Sequence, residues 1–402
     1  MDLGFSPEDL AFREEVRAFL RDHLPERLRQ GMAASPSVFV EPDIGLDWQA
    51  ILYRKGWLAY QWPAEYGGTG WTPVQRYIFE KECALAGAPG LTVLSLKLCA
   101  PVIYTFGTPD QKARLLPRIL TAEDYYCQGF SEPGSGSDLA SLQTRAVRDG
   151  DRYVINGSKI WTTHAHHANR MFCLARTEIS ERKQVGISFL LLDMDQPGIS
   201  VRPLITLGGD HEVNQVFFDM AVARVEDRIG AEGEGWAIAK FLLENERGGS
   251  CFAPKLLADI DAMQGAALAE PDGEGGALAL TAEWRRRIAQ IRLDAQALEM
   301  IELGILGEIS KGRAPGPQTS MVKLLSSNLR QAVDEAWMQV YGDSGMQYET
   351  RRPLYGNAAP EPIRSRAAQM AAPRYLNSRA WTIFGGTNEV QASIIAKTVL
   401  RL

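Results

Sequence analysis

The chain has little cysteine: five residues in 402, at Cys83, Cys99, Cys127, Cys173 and Cys251. None sits in a Cys-x-x-Cys pair, and the count is odd. That excludes a disulfide framework or a cysteine-based metal site and suits free thiols in a reducing cytoplasm, so a cytoplasmic protein is expected. Histidine is equally sparse, yet three of its five copies crowd into Thr163-His164-Ala165-His166-His167. No neighbouring carboxylate or cysteine completes a ligand set, so a metal-free surface or interface cluster is expected there. Long apolar runs are missing too. Stretches such as Ile187 to Leu192 fall far short of the roughly 20 residues that cross a bilayer, so no membrane insertion is expected. A basic, apolar, small-residue leader is absent, so no secretory signal is expected. Basic excess is also lacking: the net charge is −6, spread along the chain, which argues against a nucleic-acid partner. No Gly-x-Gly-x-x-Gly follows a strand-like run, which leaves a Rossmann reading without support.

What is present divides into three. Residues 1–125 read as helical. Ser6-Pro7-Glu8-Asp9 is a helix start, with a capping serine, a first-turn proline and two acids at the positive end of the dipole. Further helical patterns run from about 47 to 60, 73 to 86 and 110 to 120, with a Pro/Gly break from Gln61 to Gly70. Residues 126–235 change period. Arg152 to Trp161, with Asn156-Gly157 between two strand-like runs, predicts a hairpin. Strands are also expected at 170–176, 186–193, 200–204 and 214–220, together a small β-barrel or sandwich. Residues 236–402 return to helix, at 235–246, 281–312 and 318–342, while 266–284 reads as loop-like. Helices, then strands, then helices make an α+β fold with segregated elements.

The strongest chemical signal is Gly129-Phe130-Ser131-Glu132-Pro133-Gly134-Ser135-Gly136-Ser137-Asp138-Leu139. Glycine and serine at this density let backbone approach a ligand closely and offer amide and hydroxyl donors. By composition alone it is equally a surface loop leading into the β domain. This stretch resembles the Ser/Thr-Glu-Pro-small-small-Gly-Ser-Asp signature of the acyl-CoA dehydrogenase family. Asn156-Gly157, Trp161-Thr162-Thr163, Gln339-Val340-Tyr341-Gly342 and the closing Phe384-Gly385-Gly386-Thr387-Asn388-Glu389-Val390-Gln391 follow in the family's order. The resemblance covers nearly the whole chain.

It implies an N-terminal helical domain, a central β domain and a C-terminal four-helix bundle, with FAD as cofactor and an acyl-CoA as substrate. Phe130 and Ser131 are then expected along the polar edge of the isoalloxazine ring, and Trp161, Thr162 and Thr163 over its other side. Ser137 is expected at the pantetheine or phosphate of CoA. Gln339 and Gly342, from a neighbouring subunit, would line the adenosine and pyrophosphate, with Thr387, Asn388 and Glu389 closing the cofactor site.

The reaction needs a carboxylate for the α-proton, and a glutamate in a dry pocket suits it because burial raises its pKa. Many family members carry that glutamate just before the Gly-Thr of the closing motif. Here Gly385 stands there, beside Gly386. Members resembling isovaleryl- and long-chain acyl-CoA dehydrogenases take it instead from a Glu-Arg pair on a C-terminal-domain helix. Glu246-Arg247 matches that place, which makes Glu246 the expected base. Glu244, the reserve, points about 200° away on a helix and is expected at the substrate edge.

Two family features are missing. No Arg-x-x-Phe-Gly element appears early in the C-terminal domain, and Ala392 replaces the arginine that follows the closing glutamine. The resemblance therefore admits a homo-oligomer or a heterotetramer with a related subunit, as in dehydrogenases of steroid side chains or pimeloyl-CoA. Electron-transfer flavoprotein is the expected electron acceptor. The competing readings are a partner-dependent or non-catalytic subunit, and an oxidase or monooxygenase on the same fold.

Overall fold

The computed structural model describes residues 5–248, 251–313, 316–350, 361–362 and 364–402, with the side chains of 245–248 outside that description. Six helices come first: α1 (Pro7–His23), α2 (Glu26–Ala34), α3 (Pro42–Lys55), α4 (Pro73–Leu85), α5 (Ala100–Phe106) and α6 (Pro109–Leu120). Three of them start the same way. Ser6, Thr72 and Thr108 each cap with a side-chain oxygen, a proline follows, and Asp9, Gln75 or Gln111 reaches back to close a capping box. A π-helix, Leu94–Cys99, leads into α5.

Eight strands follow: β1 (Tyr126–Gly129), β2 (Arg145–Asp149), β3 (Arg152–Thr163), β4 (Arg170–Arg176), β5 (Ile187–Asp193), β6 (Ile199–Ile205), β7 (His211–Arg224) and β8 (Arg228–Ile229). They form one mixed sheet in the order β6-β7-β3-β2-β4-β5-β8, with β1 parallel to β4. Both faces of the central strands are buried, which explains their uninterrupted apolar character. Phe172, Leu174, Phe189 and Leu191 enter the core shared with the N-terminal helices. Met171, Cys173, Leu190 and Leu192 enter a second core on the opposite face.

The structure corrects one turn. Asn156-Gly157 is not a hairpin but a bulge inside the continuous strand β3, with a register shift against β7 between Ile155 and Gly157. The turn lies earlier, at Gly150 with φ +64°, where β2 meets β3 and Asp149 faces Arg152. At Gly157, φ is +143° and an added Cβ would lie 2.8 Å from Thr144 Cα. The glycine thus serves close approach to the segment entering β2, while the Asn156 carboxamide oxygen accepts the Met220 N–H at 2.9 Å across the bulge.

The remaining helices are α7 (Gly235–Gly248), α8 (Ala253–Ala269), α9 (Ala282–Ser310), α10 (Gln318–Tyr341), α11 (Arg366–Asn377) and α12 (Asn388–Ile395). Helices α8 to α11 share a third core, built on residues such as Ile260, Leu298, Val333 and Ala371. The expectation of a loop from 266 to 284 holds only for the residues between α8 and α9. Ala266 to Ala269 are good helix formers and complete α8, which ends where Pro271 disfavours helix at Glu270. Asp272 folds the connection by accepting the Glu274 and Gly276 N–H groups, each at 2.8 Å. No described helix is long and apolar enough to cross a membrane.

Candidate active site

The glycine- and serine-rich loop is held from below by a buried ion pair. Lys159, on β3, is fully buried and donates to Glu132 Oε1 at 2.7 Å and to the Phe130 carbonyl at 3.1 Å. Glu132 also accepts the N–H groups of Gln143 at 2.6 Å and Thr144 at 2.9 Å. Burial pushes its carboxyl up, but the Lys159 ammonium and these donors outweigh burial and hold it below its ordinary value. Both ends of the loop are thereby tied to the Glu132–Lys159 pair. Within it, Glu132 and Ser135 exchange backbone hydrogen bonds at 2.9 Å, and Ser135 Oγ donates to the Asp138 carbonyl at 2.9 Å.

Ser131 is fixed against β3, its carbonyl accepting the Ile160 N–H at 2.9 Å. Immediately beyond, β3 bulges again between Lys159 and Thr162. Trp161 sits at the bulge with φ +58° and its indole 62% exposed. A large aromatic held in the left-handed region and turned outward is a strained placement of the kind that collects at ligand sites. Thr162 beside it is buried, and its hydroxyl has no partner among the described residues. Thr163 is also buried and pairs with Val213. An exposed indole, an unengaged hydroxyl and a loop of open amides suit a planar heteroaromatic ring with a polar edge, so these residues fit a flavin. The Phe130 side chain is buried edge-on against Phe172 and Phe189, which leaves only its backbone to offer a ligand. Ser137 is exposed at the loop's tip.

The closing motif is a tight glycine turn. Gly385 and Gly386 take φ +64° and +84°, and the fully buried Gln391 donates to both carbonyls, at 3.2 and 3.4 Å. Thr387 caps α12 by accepting the Val390 N–H at 3.2 Å. Asn388 bonds Asn328 at 2.9 Å, and Glu389 is exposed. Phe384 packs on Trp381, which meets Phe252 just past α7 at 6.1 Å. Gln339 and Gly342 stand apart from this turn, exposed at the C-terminal end of α10. There Gln339 contacts Arg287 and Glu335, and Gly342 ends the helix at φ +50°.

Helix α7 buries Ile238, Ala239 and Leu242, and Glu244 is exposed. Glu246 and Arg247 lie on its last turn, their side chains outside the described residues. The histidine cluster gains His211, stacked on His166 at 3.8 Å, and His164 bonds the Tyr125 hydroxyl at 2.8 Å. Among the described residues no group of three histidine, cysteine or carboxylate side chains is arranged to hold a metal. Reading by sequence missed Lys159 and its pair with Glu132. The only signal was a lysine amid apolar residues on a strand.

Comparison with known proteins gives a consistent picture. The acyl-CoA dehydrogenase N-terminal, middle and C-terminal domain families match residues 6–123, 127–221 and 233–400. The chain is 35% identical over 399 residues to acyl-CoA dehydrogenase IpdE1 of Mycobacterium tuberculosis, covering 97% of each protein. Its structure is similar to the ChsE4-ChsE5 complex from Mycobacterium tuberculosis, with TM-score 0.83 and 28% identity over 100% of this chain and 99% of that one. It is likewise similar to the Tcur3481-Tcur3483 steroid ACAD, with TM-score 0.83 and 26% identity over the same shares of each chain.

Proposed function

The chain belongs to the acyl-CoA dehydrogenase family, and from that premise we propose that it converts an acyl-CoA thioester to the trans-2-enoyl-CoA with Glu246 as the base. FAD, the family's cofactor, would supply the hydride acceptor for the β-carbon. Ser131, Thr162 and Thr163 supply polar contacts to it, the Trp161 indole covers one side, and Thr387, Asn388 and Glu389 close the site. Gln339 and Gly342 serve the site of a neighbouring subunit. Glu246 removes the α-proton, and Ser137, Glu244, Arg247, Gly385 and Gly386 border the thioester.

The observation that carries this assignment is Gly385. At φ +64° it occupies a conformation that residues with side chains rarely adopt. Glycine carries no carboxyl, so the carboxylate must come from elsewhere in the chain. In helical spacing, position 246 falls four residues after the buried Leu242 and seven after the buried Ala239. The two-chain ChsE4-ChsE5 complex and the steroid description of the other solved relative support a bulky, ring-bearing acyl group and a heteromer with a related subunit. Electrons then pass to an electron-transfer flavoprotein.

The test is anaerobic titration of the FAD-loaded protein with a panel of short, branched, dicarboxylyl and steroid-like acyl-CoA thioesters, following flavin absorbance. Wild type should bleach with at least one member. Glu246→Gln should hold FAD and fail to bleach; bleaching at the wild-type rate in that variant overturns the assignment. Failure of the wild-type chain to hold FAD until a related subunit is added would favour the partner-dependent reading.

A further inference from the structure

We propose that Glu80 and Glu302 are positioning residues for the base: two acidic side chains, one from each helical part of the chain, grip the backbone from Cys251 to Ala253, between the helix that carries Glu246 and the body of α8. The proposal rests on the assignment of Glu246. The grip takes three consecutive amides. Glu80 Oε2, on α4, accepts the Cys251 N–H at 3.3 Å. Glu302, on α9, accepts the Phe252 N–H at 2.7 Å and the Ala253 N–H at 3.3 Å.

A helix N-terminus leaves amides without partners, and the ordinary remedy is a local serine, threonine or aspartate. Helix α8 has none. Phe252 stands at its N-cap and provides no side-chain bond. The acceptor comes instead from Glu302, fifty residues away and only 4% exposed. Burial pushes that carboxyl up to about 8, with the two amides pulling it down and Glu80 and Glu299 pushing it further. A local cap would satisfy the same amides without desolvating a carboxylate. What the distant acid adds is a tie between the α7–α8 joint and the body of α9.

Glu80 adds the opposite tie. Its Oε1 accepts from the Tyr60 hydroxyl at 2.5 Å and the Gln61 amide at 2.9 Å, and Lys97 Nζ lies 3.7 Å away. Lys97 belongs to the π-helix that packs on α7, and π-helical turns favour functional sites. Glu299, the next acid on α9, is bound in turn by Tyr77 and Lys81 of α4. The joint is therefore held in place from both sides. Glu246 precedes Cys251 by five residues, so a shift of the joint displaces the last turn of α7, and misplacement by about 1 Å costs on the order of a hundredfold in rate.

The test uses the FAD-loaded protein with Glu302→Met and Glu80→Met, each keeping the length of the side chain and removing the oxygens that accept the three amides. Two rates are measured with the panel thioester that bleaches wild type fastest: anaerobic flavin reduction, and α-hydrogen exchange in heavy water, which needs only the base. Both should fall together by about ten- to a hundredfold in each variant, with FAD content and half-saturation within about threefold of wild type. Unchanged exchange, or a change confined to half-saturation or melting temperature, overturns the proposal. If one variant does not fold, the other carries the test. Failure of the premise reads differently: exchange retained in Glu246→Gln removes the base itself. A dead Glu246→Gln with wild-type exchange in the other two removes only the positioning role.

Discussion

Replacing Lys159 with methionine tests whether the buried pair under the glycine- and serine-rich loop holds that loop. The substitution keeps the volume of the apolar stem and removes the charge. It leaves Glu132, only 8% exposed, without its cation, and the Phe130 carbonyl without its donor. Removing one member of a buried ion pair costs about 3–5 kcal/mol, chiefly because the other charge stays buried. The two backbone donors to Glu132, at 2.6 and 2.9 Å, survive and place the expected loss toward the lower end. In wild type the Glu132 carboxyl sits below its ordinary value of 4.5. Its contribution is therefore fully present above pH 4.5 and is lost as pH falls through the lowered value. In Lys159→Met the sign reverses. The unpaired carboxyl is raised, and lowering the pH toward 5 neutralises it and narrows the gap to wild type. Urea unfolding of the FAD-loaded proteins at pH 7 and pH 5 measures both effects. The double variant Lys159→Met/Glu132→Gln should regain more than half of the loss, since the amide oxygen still accepts a backbone donor and no charge is buried. A deficit under about 1 kcal/mol at pH 7, or a double variant no better than the single, would refute the reasoning.

Two further outcomes follow from the sheet. Gly157→Ala should cost about 2–3 kcal/mol in the same unfolding assay, because φ is +143° and the new methyl would meet Thr144 backbone at 2.8 Å. A loss below about 0.5 kcal/mol would mean that the bulge relaxes freely. His164 and His166 are pushed down from 6.5 to about 3 and about 4, by burial first and by neighbouring imidazoles second. The unfolded chain takes up these protons as pH falls through 6.5 while the native state stays neutral. Stability is thus intact above pH 6.5 and declines below it, by up to about 2.7 kcal/mol per pH unit for the two groups. Melting temperature against pH should fall less steeply in His166→Gln, and an identical slope would contradict this origin.

Local signals succeeded where local interactions decide the structure. Ser6-Pro7-Glu8-Asp9 closes a capping box within four residues, and the strands at Arg170–Arg176 and Ile187–Asp193 are apolar because two cores claim their alternate residues. Asn156-Gly157 misled for the converse reason. The dipeptide has turn chemistry, but β7 pairs along both sides of it and holds it in line, and that partner begins more than fifty residues later. Helix α8 was equally hidden, since its N-terminus carries no capping residue of its own.

The same division runs through the site. The family motifs were legible, and the structure places the closing Gly385-Gly386 pair in a turn at positive φ. The site's geometry was not, because neither the loop nor the α7–α8 joint is shaped by its own sequence. The Ser131 to Leu139 loop, free of bulky side chains at Gly134 and Gly136, gains its form from a lysine on β3. The backbone from Cys251 to Ala253, at the start of α8, is held by acidic side chains on α4 and α9. In the 131–139 loop glycine and serine leave the backbone room to approach a ligand, and a buried ion pair with a distant strand limits the freedom they bring. Buried charge is costly, so helices and strands that pack well without it have little use for it. At Glu132–Lys159 and at Glu302 a buried side chain from a distant element bonds the two segments where the proposed chemistry occurs, which is the physical reason to test these residues as parts of the working site rather than of the scaffold.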